Sequence, residues 1–189
     1  MIISFIVVKI SFGLFLFFVS SLLSAQDVIS IKNGESYKAE RVNAFLHDLH
    51  SSNDYVISFR LKLTDRIDER SDYFVLTKKG DDLSAYNYLK KTNRLEPLHL
   101  SKESLKLAWR TFIQNDLFTM QNEKDIPNFC PEKYNVYNSY TYEFVLLTKD
   151  TMKTLSYYDP EYYDNACYGM PERKKIINSV SVVSHILSR

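Results

Sequence analysis

Tyr55-Val56-Ile57-Ser58-Phe59-Arg60-Leu61-Lys62-Leu63 is the stretch that decides the fold. Tyr55, Ile57, Phe59, Leu61 and Leu63 are apolar, and Ser58, Arg60 and Lys62 between them are polar. Side chains along a strand point alternately to opposite faces, so this pattern predicts a strand with one buried and one wet face. Val56 is the one exception. Joined to its neighbours by tight hairpins, such a strand belongs to an antiparallel sheet, one face of which helices can cover.

Working outward, Tyr73 to Thr77 and Leu83 to Lys90 read as two further strands. They flank Lys79-Gly80-Asp81-Asp82, a hairpin turn in which Gly80 can take a positive φ. Tyr140 to Thr148 and Thr154 to Tyr158 read as a second hairpin, turned through Lys149-Asp150. Phe74 to Lys78 recurs loosely as Phe144 to Lys149. Two apolar strands give such an echo by chance more readily than by duplication.

Helices fill the intervals. Val42, Phe45, Leu46 and Leu49 fall at i, i+3, i+4 and i+7, which predicts a first helix over Asn33 to His50. Ser101 is a natural N-cap with Glu103 in the first turn. It opens a helix running to about Asn115, with Leu105, Ala108, Trp109 and Phe112 as its buried stripe. Pro97 breaks the chain before it. Pro171 suits a first helical position, and the helix it opens would turn Ile176, Ile177, Val180, Val183 and Leu187 inward. Its β-branched residues make a strand over Ser179 to Ile186 the alternative. Leu117 to Ser139 and Asp159 to Met170 read as loops, as does the charged stretch Thr64 to Asp72. The expected fold is therefore α+β: a single domain of about five antiparallel strands and about three helices, in the order α-β-β-β-α-β-β-α.

Residues 1–25 lie outside this domain. Met1 to Ala25 is almost wholly apolar with the single charge Lys9, and polar sequence begins at Gln26-Asp27. The apolar run Ile10 to Leu23 has the length of a signal-peptide core, short of the roughly 20 residues a membrane span needs. A cut after Ala25 leaves residues 26–189 as the exported domain, periplasmic or extracellular. Leu23 is large for its place near the cut. An uncleaved segment, anchoring the domain to a membrane, is the alternative.

Export governs the rest of the reading. Cys130 and Cys167 are the only cysteines, and an exported chain with an even number most often pairs them. The disulfide would tie together two loops rich in Pro and Tyr. Charge is balanced: 24 basic side chains, one of them the leader's Lys9, face 23 acidic ones. A nucleic-acid partner would need a clustered basic excess, and the short group Arg173-Lys174-Lys175 does not supply one.

Chemistry-bearing motifs are sparse. His47 and His50 stand at i and i+3 with Asp54 nearby, an arrangement that lacks the spacing and the Glu of the zinc-binding HExxH helix; a solvated helix face is the plainer reading. No Ser sits in a Gly-x-Ser-x-Gly turn, and a chain with 4 Gly has no phosphate cradle. Asp159 and Glu161, or Asp81 and Asp82, are carboxylate pairs in turns, where such residues serve the backbone. No cofactor, metal site or catalytic set is predicted.

The one remaining concentration is aromatic. Nine of the 14 Tyr fall between Tyr134 and Tyr168. Tyr140 and Tyr142 belong to a strand, but Tyr134, Tyr137, Tyr162, Tyr163 and Tyr168 fall in loops. Tyr joins a large rigid surface to a polar tip and recurs at recognition surfaces. The expectation is a non-enzymatic, inhibitor-like binding module that meets a protein, or a carbohydrate, through these five residues. The alternatives are a small exported hydrolase of envelope polymers, betrayed by a deep cleft with convergent titratable groups, and a structural envelope component.

Overall fold

The structure, a computed structural model, describes residues 29–63, 72–127, 139–167 and 170–188. The leader, most of the charged loop after Leu63, and Cys130, Tyr134, Tyr137 and Tyr168 lie outside the described residues.

Seven strands form one antiparallel sheet: β1 (Glu35–Ser36), β2 (Tyr55–Leu63), β3 (Tyr73–Lys79), β4 (Asp82–Leu89), β5 (Arg94–Pro97), β6 (Tyr140–Thr148) and β7 (Thr151–Tyr158). Their spatial order is β1-β7-β6-β2-β3-β4-β5. Four α-helices accompany them: α1 (Ala44–Ser52), α2 (Lys102–Gln114), α3 (Pro160–Ala166) and α4 (Pro171–Leu187). The α+β class and the hairpins β3–β4 and β6–β7 stand as expected, with Gly80 at φ +56° in the first turn.

The counts differ from about five strands and three helices, for local reasons. β1 and β5 are edge strands too short and too charged to show alternation. The first helix begins at Ala44, not Asn33, because Asn33-Gly34 is a turn: Asn33 sits at φ +55° and the chain then pairs with β7. β7 starts three residues earlier than expected, at Thr151. α3 replaces the first half of the expected Tyr-rich loop, since Asp159 caps it and Pro160 takes its first position. Over Ser179 to Ile186 the chain is helical, and α4 buries Ile176, Val180, Val183 and Ile186; Leu187 is exposed, and Ile177 is only partly buried.

β2 has two dry faces over Val56 to Phe59, not one. On one face, Ile57 and Phe59 join Leu76, Phe144, Leu146 and Leu155 under α2 and α4. On the other, Val56 joins Val75, Leu147 and Met152 under Leu46 and Leu49 of α1. The alternation that reads as buried against wet is thus buried against buried at this end of the strand.

The internal echo acquires a clear geometry. Phe59 lies between Phe74 of β3 and Phe144 of β6 in the same register. The two hairpins lead away from β2 in opposite directions, while α2 and α4 cover the same face. The two units are therefore of opposite hand, and no rotation superposes them. Among the described residues, no helix is long and apolar enough to cross a membrane.

Candidate functional site

Asp159 follows β7 directly, in a left-handed conformation at φ +37°. Its buried carboxylate accepts from the Ser139 hydroxyl and from the Tyr162 N–H, which holds the start of α3 in place. Two residues on, Glu161 accepts from the hydroxyls of Tyr140 and Tyr142, both on β6. Burial, then the neighbouring Glu161 carboxylate, pushes the Tyr142 hydroxyl well above the ordinary phenol range. Both carboxylates of the expected acidic pair are thereby spent on docking α3 to the sheet.

α3 then presents Tyr162 and Tyr163 differently. Tyr162 is exposed at 39%. Tyr163 is half-buried, with its ring edge-on to Tyr162 at 5.3 Å and tilted against Tyr158 at 6.2 Å. The guanidinium of Arg173, from the first turn of α4, lies over the Tyr163 ring at 5.1 Å. Arg173 is 4% exposed; its Nε donates to Glu123 Oε1 at 3.2 Å and its Nη1 to the Tyr163 carbonyl at 3.2 Å. Glu123 Oε2 accepts from the Tyr158 N–H at 2.8 Å.

These groups stand at one end of a cleft of about 1150 Å³ that follows β7 and reaches Glu35 at the other end. Asn122, Asp125 and Lys153 contribute to its walls. Lys153 is 7% exposed, and its ammonium donates to the carbonyls of Lys32, at 2.7 Å, and Met120. Burial pulls its pKa down, partly offset by Asp125. Lys153 binds the N-terminal segment and the stretch after α2 to β7.

Of the five tyrosines expected at a site, the described residues bring together Tyr162 and Tyr163. Tyr134, Tyr137 and Tyr168 lie outside the described residues. Cys167 follows α3 directly, its N–H bonded to the Tyr163 carbonyl at 2.9 Å, while the pairing with Cys130 lies outside the described residues. The histidines do not converge. His50 Nε2 meets the Thr148 carbonyl at 2.9 Å, His47 Nδ1 meets the Tyr37 hydroxyl at 2.7 Å, and Asp54 accepts from the Gly80 N–H. Tyr37 stacks on His50 at 3.8 Å, so the pair clamps the start of the domain to α1. Among the described residues, no group of three metal-ligating side chains is found.

Asn122, Glu123, Lys153, Tyr158 and Arg173 escaped the sequence reading. Lys153 had a legible signal: it shares a strand face with Leu155 and Tyr157, and a lysine on an apolar face is a buried lysine. Arg173 had none, because one basic residue in a basic triplet looks like any other. No protein-family model, curated protein or solved structure matches this chain, and no family is assigned to it.

Proposed function

We propose that this chain is an exported, non-enzymatic binding module, inhibitor-like in design, that recognises a protein partner at the α3 end of the cleft. One observation carries the reading. Lys153, Glu123 and Arg173 of the cleft, and Glu161 beside it, are already engaged in holding the fold, while Tyr162 faces solvent next to Tyr163. Glu123 serves Arg173 and the Tyr158 N–H, Glu161 serves two tyrosines, and Lys153 serves two carbonyls. A hydrolase of envelope polymers would need at least one of these groups free to move a proton. The reading includes the leader cut after Ala25 and a Cys130–Cys167 disulfide that would steady the loop following α3. The intact mass of the exported chain tests both, since the cut sets the N-terminus and the disulfide removes two hydrogens.

The partner-binding test is a quantitative capture from the exported fraction with purified wild type and Tyr162→Ala. Tyr162 is exposed, so the substitution leaves the fold intact, and its captured partner should fall at least about tenfold, as for an aromatic anchor. Tyr163→Ala also strips the ring beneath Arg173 and reports on stability as much as on binding. Equal capture by wild type and Tyr162→Ala removes this surface from the proposal.

A further inference from the structure

The geometry points to strand addition at β7 as the way this module takes its partner: an extended segment of the partner polypeptide would lie along the cleft as an extra strand. The inference rests on the binding-module reading and names the surface and the form of the ligand. β7 has eight residues, but β1 covers only Thr151 and Met152. From Lys153 to Tyr158, no strand among the described residues pairs the side away from β6. The chain itself begins such a strand and abandons it. Upstream of Glu35 it turns at Asn33 and sends Ile31 into the core instead of continuing along β7.

Side chains stand in for the missing strand. Asn122 Nδ2 donates to the Thr154 carbonyl at 3.1 Å, and Asn122 Oδ1 accepts from the Ser156 N–H at 3.3 Å. One carboxamide thus reproduces the pair of bonds that a residue of a neighbouring parallel strand would make around Leu155. Glu123 continues the line by accepting from the Tyr158 N–H. Such a cap protects an edge from indiscriminate pairing. It also keeps the edge extended, because Asn122 can turn away from β7 without breaking a main-chain ladder, while Glu123 can give up the Tyr158 N–H from Oε2 and keep Arg173 on Oε1. The cleft runs along this edge. Six residues of added strand span roughly 20 Å. Its walls carry both signs, Glu35 and Asp125 against Lys153 and Arg173, which suits a ligand held by its backbone.

The test selects random twelve-residue peptides displayed on phage against the full exported chain. It then measures the best synthetic peptide by fluorescence anisotropy on wild type and variants. Thr154→Pro removes an outward N–H without touching the β6 ladder, a position where strands tolerate proline; affinity should fall at least about tenfold. Asn122→Ala removes the stand-in and should tighten binding about threefold or more. In the wild-type complex, amide exchange at Ser156 and Tyr158 should slow, which tests the register independently of any variant. Failure to select a peptide, or affinity and exchange indifferent to the β7 edge, overturns strand addition. A peptide insensitive to Thr154→Pro but lost with Tyr162→Ala also overturns it and leaves the binding-module reading standing. A concentration-dependent dimer abolished by Thr154→Pro assigns the edge to a second copy of the chain and overturns the partner-segment assignment.

Discussion

Arg173 and Glu123 meet at 3.2 Å with the arginine almost completely buried, and this ion pair fastens α4 to the turn that lies along β7. Removing one member of such a pair strands the other's charge. Glu123→Gln leaves a buried guanidinium without its counter-charge and should lower stability by about 2–4 kcal/mol. Arg173→Met removes the buried charge itself, while Glu123, more exposed, can turn to water; its cost should be smaller. Urea midpoints of the two variants check the order, and a larger loss for Arg173→Met would contradict it.

Stability should fall as pH climbs past 10. Burial raises the hydroxyls of Tyr73, Tyr142 and Tyr157 above their ordinary value of 10.0. The unfolded chain gives up these protons near pH 10 while the folded chain keeps them. Their contribution is therefore complete below pH 10 and is lost as pH rises towards the folded values. Lys153 works the other way. Its folded pKa lies below 10.5, so the folded state releases that proton first, and stability gains as pH rises through the window ending near 10.5. Three tyrosines outweigh one lysine. Urea midpoints should hold or rise slightly from pH 8.5 to 10 and decline from pH 10 to 11, and Tyr142→Phe should flatten the decline.

Ser58 is 1% exposed, and its hydroxyl has no hydrogen-bond partner among the described residues. Alternation along β2 reads it as wet, yet its face is the one α1 covers. An unsatisfied buried hydroxyl costs free energy, so Ser58→Ala should be stabilising by about 1 kcal/mol. A midpoint below wild type would show that the hydroxyl does have a partner.

Gly34 tests the turn that the helical periodicity concealed. A Cβ there would stand 2.6 Å from Ile31 Cγ2 and 3.1 Å from the Met152 carbonyl. Ile31 is part of the core and cannot yield freely. Gly34→Ala should cost about 1–3 kcal/mol through overpacking and should speed amide exchange at Tyr37, whose N–H bonds Asp150 beside β1.

The amino-acid sequence by itself determined the long strands, the two hairpins, the Ser101 cap of α2 and the α+β class. Each of these follows from local period, turn chemistry or capping, which act over a few residues. The helical period from Val42 to Leu49 was equally legible, but its extent was not. Asn33-Gly34 marked a turn that a smooth periodic reading passed over. Only the tertiary structure decided which faces were dry. Ser58 is buried because α1 folds onto the second face of the sheet, and Leu187 is exposed because α4 turns Ile186 inward instead. The cleft, too, belongs to the tertiary level. Asn122 and Glu123 reach β7 across more than thirty positions of chain, at Thr154 and Tyr158. Arg173 finds Glu123 from fifty positions away. No local pattern encodes such encounters, since they depend on how the sheet orders its strands. Among the described residues β7 has no neighbouring strand beyond Met152 on that side, because the chain upstream of β1 turns at Asn33 and carries Ile31 into the core.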